Sequence, residues 1–257
     1  MKPKTNTGFL IVCLAVFLFI ACNQGDKTDE QAKTGDTTTT DATASAGRDA
    51  AMDAAKVAPN IYHVLADTMN IRLLEIIVKP GETVNLHSHP DYSLYVLEGG
   101  TAEFEAKDGT KRTQELPTGM AAILPAETHA AKNTGTTTVR VIATEVYSTT
   151  AATRDASMDP VTVAPGVYKV LADTMNIRLV EITVKPGESV PLHSHPDYAE
   201  YIIEGGKAEL VAKDGTKQII ELKAGAGVIT PAETHTGKNA GTTTIRIIAT
   251  EVFRTAN

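Results

Sequence analysis

At 257 residues the chain is long enough for one large domain or two small ones, and 42% hydrophobic residues supply real cores despite the absence of Trp and an aromatic content of 5%. The formal charge of -7 is mild for this length, and no basic stripe with interleaved aromatics appears, which argues against nucleic acid as a partner.

Residues 1–22 read as an export signal and not as part of the fold. Lys2 and Lys4 form a positive start, and Phe9 to Ala21 is an apolar run too short to span a bilayer, which takes about 20 residues. The run ends in Phe19-Ile20-Ala21-Cys22, which resembles a bacterial lipobox, with Phe19 where Leu is usual. The resemblance implies acylation of Cys22, an anchor in a lipid bilayer and a periplasm-facing protein. Asn23 in place of Asp favours the outer membrane. Cys13 would be lost with the signal, so no thiol remains for disulfides, nucleophiles or metal ligands. Residues 23–50 are rich in Thr, Asp, Ala, Gly and Lys and cannot bury enough surface to offset their ordering entropy, so they read as a tether. A short helix is expected at Ala50–Ala55.

The rest of the chain is organised by a repeat. The segment from Val57 recurs from Val163 at a constant offset of 106 without a gap, and roughly two-thirds of the positions are identical. Two copies this long mean two domains, expected at 51–150 and 151–257. Within each copy, short runs rich in Val, Ile, Thr and Tyr (71–78, 92–97 and 138–146 in the first) alternate with turn sequences such as Lys79-Pro80-Gly81, Glu98-Gly99-Gly100 and Lys107-Asp108-Gly109. The pattern predicts an all-β chain of two antiparallel barrels or sandwiches.

Seven histidines are present, and six form two equivalent sets: His87, His89 and His129, then His193, His195 and His235. The seventh, His63, is replaced by Lys169 in the second copy and reads as a surface residue. His87 and His89 are two apart on a predicted strand, so both rings project to one face. A third imidazole arriving from another strand completes a facial set that a divalent transition metal accepts with positions left open.

The spacing Gly-x5-His-x-His, then Gly-x5-Pro and His-x3-Asn, seen at Gly81, His87, His89, Gly119, Pro125, His129 and Asn133 and again in the second copy, resembles the two signature motifs of the cupin superfamily. The chain is thus similar to a bicupin. The resemblance implies a small jelly-roll-like β-barrel per copy with the metal inside, held by the three histidines and a Glu. Counting from His195 places Glu200 near the position of that Glu; the first copy has Leu94 instead. Site one is therefore expected to be a three-histidine site, and Glu200 is a candidate fourth ligand or acid/base at site two. Tyr92 and Tyr198 are candidate catalytic phenols, with core or rim packing as the alternative. Glu127 and Glu233 stand where the family has Gly and read as solvated loop carboxylates, while Asp91, Asp197, Asn133 and Asn239 read as turn residues.

Cupins host oxygenases, decarboxylases, isomerases and binding modules, so the fold does not decide the function. The expected activity is metal-dependent chemistry on a small molecule, with site two better equipped; the alternative is a non-catalytic protein binding metal or small ligands at the envelope. Three imidazoles suit Zn, Fe, Ni, Cu and, less well, Mn. A monomer or homodimer is expected.

Overall fold

A computed structural model describes residues 51–149 and 154–254, so the signal, the tether and Cys22 lie outside the described residues. In the first copy a short helix α1 (Ala54–Val57) precedes nine strands: β1 (Tyr62–Thr68), β2 (Ile71–Val78), β3 (Thr83–His89), β4 (Asp91–Glu98), β5 (Gly100–Ala106), β6 (Lys111–Leu116), β7 (Ala121–Leu124), β8 (Glu127–Asn133) and β9 (Val139–Val146). The second copy repeats them as α2 (Pro160–Val163), β10 (Tyr168–Thr174), β11 (Ile177–Val184), β12 (Ser189–His195), β13 (Asp197–Glu204), β14 (Gly206–Ala212), β15 (Lys217–Leu222), β16 (Gly227–Thr230), β17 (Glu233–Asn239) and β18 (Ile245–Val252). The first helix starts four residues later than expected because Asp53 caps it, accepting the Ala55 N–H at 2.9 Å.

Each copy is a small jelly roll made of a five-stranded antiparallel sheet, ordered β1-β2-β9-β4-β7, facing a four-stranded one, β3-β8-β5-β6; the second copy has the same order. The expected all-β pair of cupin-like barrels is therefore present. The β1–β2 hairpin closes through Met69 and Asn70, both at positive φ, and Met175 and Asn176 repeat the turn.

The inner strands β2 and β9, with β11 and β18 in the second copy, read as near-continuous apolar runs because both their faces are covered. Along β2, Leu74 and the partly buried Ile76 face the barrel's own core, while Ile71 and Leu73 face the other copy. There they join Ile142, Val146, Ile177, Ala199, Tyr201 and Val252 in one core shared between the barrels. Ser93 and Thr250 share a hydrogen bond of 2.7 Å across the same junction. Gly227 lies under Leu65 and Leu73, where an added Cβ would come within 2.7 Å of Leu73, so any larger residue there forces those two side chains to shift.

Candidate metal centres

The geometry of the histidines begins with a β-bulge. Between β3 and β8 the register steps after Val84↔Ala131 to His87↔His129, so that one strand advances by an extra residue. Without that step His87 would oppose Thr128, and His87 and His129 would lie on opposite faces. With it, the two rings stand directly across from each other. The same step separates Val190↔Gly237 from His193↔His235 in the second copy, and Pro191 sits inside the bulge, where its missing N–H costs no ladder bond.

The bulge also sets the tautomer of the first histidine. His87 Nδ1 lies 2.8 Å from Asn85 O, and His193 Nδ1 lies 2.7 Å from Pro191 O. A carbonyl only accepts, so Nδ1 carries the proton and Nε2 is bare. His89 is held in the same sense, Nδ1 donating to Glu145 Oε1 at 2.7 Å, as His195 does to Glu251 at 2.9 Å. The imidazoles of His87, His89 and His129 converge until one ligand atom from each lies within 4.8 Å of the others, as do those of His193, His195 and His235. All six are buried. Three imidazoles, two of them with the proton fixed on the outer nitrogen, are a donor set that fits a divalent transition metal. Glu200 is not among the atoms converging at that distance.

Behind the rings lies a buried chain of charges. Glu145 on β9 is fully buried and receives Arg72 Nε at 2.6 Å; Arg72 Nη1 reaches Asp53 at 2.9 Å, the residue that caps α1. Tyr147 donates to the same carboxylate at 2.7 Å. In the second copy Arg178 joins Glu251 at 2.6 Å and Asp159 at 2.8 Å. Burial alone would raise the Glu145 carboxyl, but His89 and Arg72 outweigh it and hold the group below the usual carboxylate range. Sequence reasoning missed these residues. The available signal was a charged residue repeated at the offset of 106 inside an otherwise apolar run, as in Arg72 and Arg178 or Glu145 and Glu251.

Tyr62 and Tyr168 were also missed. Each is buried on the first strand of its barrel and places its hydroxyl against the bare Nε2 of the first histidine, at 2.8 Å from His87 and 3.1 Å from His193. Tyr92 and Tyr198 are buried too, but their hydroxyls are committed. Tyr92 donates to Glu127, and Tyr198 donates to Glu233 at 2.6 Å.

The expectation for Glu127 and Glu233 needs correction. They open β8 and β17 and are not solvated loop carboxylates, because the strand alternation turns them toward the site, where a buried phenol donates to each. Glu127 Oε1 also lies 3.3 Å from His129 Nδ1, close enough for charge attraction although not aligned as a hydrogen bond. His129 and Tyr92 bring the Glu127 carboxyl down to about 2. Asp91 and Asp197 do not bond within their own turn: they open β4 and β13, and each accepts an N–H from 35 residues along the chain, Ala126 and Ala232 at 2.9 Å, which ties down the bend before the strand of the late histidine. Asn133 and Asn239 do more than make a turn, since each buried amide donates to two carbonyls, Val78 and Thr137 or Val184 and Thr243. His63 is exposed, as read.

The two sites differ in their walls. A cavity of about 190 Å³ opens inside the first barrel against His89, His129 and Tyr92, and Leu94 is part of its wall. At the equivalent place Glu200 shares the inward face of β13 with Tyr198 and Ile202. Burial, with Glu233 and then Glu251 nearby, pushes its carboxyl up to about 7.

Burial holds His87 down to about 3 and His193 to about 4, against an ordinary value near 6.5 in the unfolded chain. Between those values the unfolded state binds more protons, so stability is complete above about pH 6.5 and declines as pH falls toward the folded values. Glu145 and Glu251, held low in the folded protein, act in the same direction at the acid end. Glu200 acts in the opposite direction, because its raised carboxyl takes up a proton in the folded state before it does in the unfolded one, so stability gains as pH falls from about 7. In Glu200→Leu, which lacks that opposing group, the melting temperature of chelator-treated protein is expected to fall by several degrees between about pH 7 and pH 5. A flat profile would mean that the histidines already bear protons in the folded state.

The Cupin domain family matches the chain twice, at residues 74–145 and 180–251. No curated protein matches it by sequence. Among solved structures, AerE from Microcystis aeruginosa aligns with a TM-score of 0.54 at 17% identity, over 72% of this chain and 89% of that one. Oxalate decarboxylase from Bacillus subtilis, a protein with Mn(II) centres, aligns with a TM-score of 0.53 at 17% identity, over 73% of this chain and 70% of its own. The structure of the same decarboxylase at pH 4.6 gives 0.53 at 16% identity, over 72% and 68%. These likenesses extend the fold, in both halves, to proteins of very different sequence. With its domain matched twice and its signature histidines gathered in each barrel, the chain belongs to the Cupin domain family as a bicupin.

Proposed function

We propose that this chain is a metal-binding bicupin anchored at a bacterial cell envelope, with one divalent metal per barrel and proton-transfer chemistry on a small molecule in the second barrel. The observation that carries it is the doubled histidine trio, with two rings of each trio held in the metal-binding tautomer. The positive start, the apolar run and Cys22 support the envelope reading, with the chain facing the periplasm from the outer membrane.

A divalent metal on such a site supplies a Lewis acid. The protein's own contribution in the second barrel is Glu200. A carboxyl brought to about 7 is present in both protonation states at neutral pH and can give or take a proton at its oxygen. Tyr198, Glu233 and His235 form a connected row beside it, the phenol donating to Glu233 and Glu233 lying 3.0 Å from His235 Nδ1. That row sets a carboxylate beside the third imidazole. Decarboxylation, isomerisation and oxygenation all use such a pairing of metal and acid/base. The first barrel, with Leu94 in place of the acid, suits ligand binding without proton transfer, which favours a non-catalytic role for that half.

Metal analysis after exposure to Mn, Fe, Co, Ni, Cu and Zn salts in turn tests the reading. Two equivalents per chain are expected with at least one of them, and less than one equivalent with every metal refutes it. In Glu200→Leu the metal content is expected to stay at two, while a carboxylic-acid infrared band that titrates near pH 7 disappears. If that band survives, Glu200 is not the acid.

A further inference from the structure

We propose that the first barrel is a pocket for a single-ring aromatic carboxylate, with the carboxylate on the metal and the ring against the apolar wall. The carboxylate end rests on the metal reading above; the ring end rests on the cavity itself.

Size comes first. An apolar cavity of about 150 Å³ takes up benzene, and this one measures about 190 Å³, enough for one ring with a small substituent. Its walls come next. Leu94, Phe104, Met120, Leu124 and Val141 line it, and each is only partly covered by its neighbours because each faces the void. Aliphatic faces, an aromatic edge and a thioether are the surfaces on which a flat ring packs well. Polar groups lie at both ends of the lining: Tyr92 and Glu127, already engaged with each other, beside the histidines, and Gln114 and Asn133 toward the far end. The three imidazoles are neutral ligands; Glu145 behind them is paired with Arg72, and Glu127 beside His129 offsets only part of a divalent cation's charge, so the site keeps net positive charge that favours an anionic head group. Arg112 also lines this cavity, exposed to solvent and placed over the Phe104 ring at 5.3 Å, and adds positive potential.

The second barrel is unsuited to the same ligand. There Leu94, Phe104, Arg112, Met120 and Leu124 are replaced by Glu200, Leu210, Gln218, Ala226 and Thr230. The exchange removes the aromatic edge, the thioether and the cation, and sets a carboxyl where the ring would lie.

The experiment uses the purified chain loaded with Co(II), whose visible bands report on whatever joins the metal, titrated with benzoate and with acetate. One equivalent of benzoate per chain is expected, bound at least about tenfold more tightly than acetate, since acetate lacks the ring. Leu94→Glu and Leu124→Thr, each copying the residue of the second barrel, are expected to weaken benzoate by about tenfold or more while Co(II) stays at two per chain. Binding of two equal equivalents, no preference for benzoate over acetate, or indifference to both substitutions overturns the proposal. Should the chain take up no Co(II), the metal reading fails separately, and benzene binding to the metal-free protein is followed by NMR. Benzene binding that is lost in Leu94→Glu then upholds the ring pocket and overturns the carboxylate end, and no benzene binding overturns both.

Discussion

Glu145→Leu is expected to destabilise the metal-free chain by about 3–5 kcal/mol, the usual cost of removing one partner from a buried ion pair. Glu145 is fully buried and receives Arg72, the His89 Nδ1–H and Tyr147 together. Its removal leaves two buried donors, Arg72 and the His89 Nδ1–H, short of that acceptor, with Arg72 retaining Asp53. Glu145→Gln, which preserves an acceptor for His89 and loses the charge, is expected to fall between the wild type and Glu145→Leu. The same variants are expected to weaken metal binding at the first site by about 10–100-fold, because the His89 ring is no longer aimed. Denaturant unfolding measures the first effect and metal competition the second. A loss below about 1 kcal/mol together with unchanged metal affinity would show that the buried charges neither support the barrel nor orient the ring.

The double substitution His193→Ala, His195→Ala is expected to halve the metal content, from two equivalents to one, because it removes two of the three ligands that converge in the second barrel and leaves the first trio intact. A ligand that binds only the folded state stabilises it by about 2.7 kcal/mol at a hundredfold excess over its Kd. The part of the metal-induced thermal shift that belongs to the second barrel is therefore expected to vanish with the metal. Retention of two equivalents would place one of the metals elsewhere on the chain.

Much of this was legible in the amino-acid order. Turn residues at regular intervals and the offset of 106 define two β-domains, and β2 spans the segment 71–78 that its composition suggests. The six histidines could be picked out because His-x-His on a strand is a local pattern. What supports them could not, because the partners are remote along the chain: Tyr62 is 25 residues from His87, Glu145 is 56 from His89, and Arg72 is 73 from Glu145. Such pairings depend on which strands become neighbours, which no local periodicity encodes. Glu127 looked like a loop residue because Pro125 and Ala126 precede it. Only the pairing His89↔Glu127 reveals that the strand has already begun. The bulge ahead of His87 has no sequence mark in the first copy, and Pro191 is its one hint in the second.

Ile71, Leu73, Ile142 and Val146 close a common core with Ile177, Ala199, Tyr201 and Val252. Two separate polypeptides meeting through such a face would be products of one gene, and any change to one cavity would appear in the other. Joined as a single chain, the halves can be altered one codon at a time, so Leu94 and Glu200 can occupy equivalent places in one molecule. The covalent link also keeps each half at a high effective concentration for its partner, so the junction persists under dilution that would dissociate a two-chain assembly.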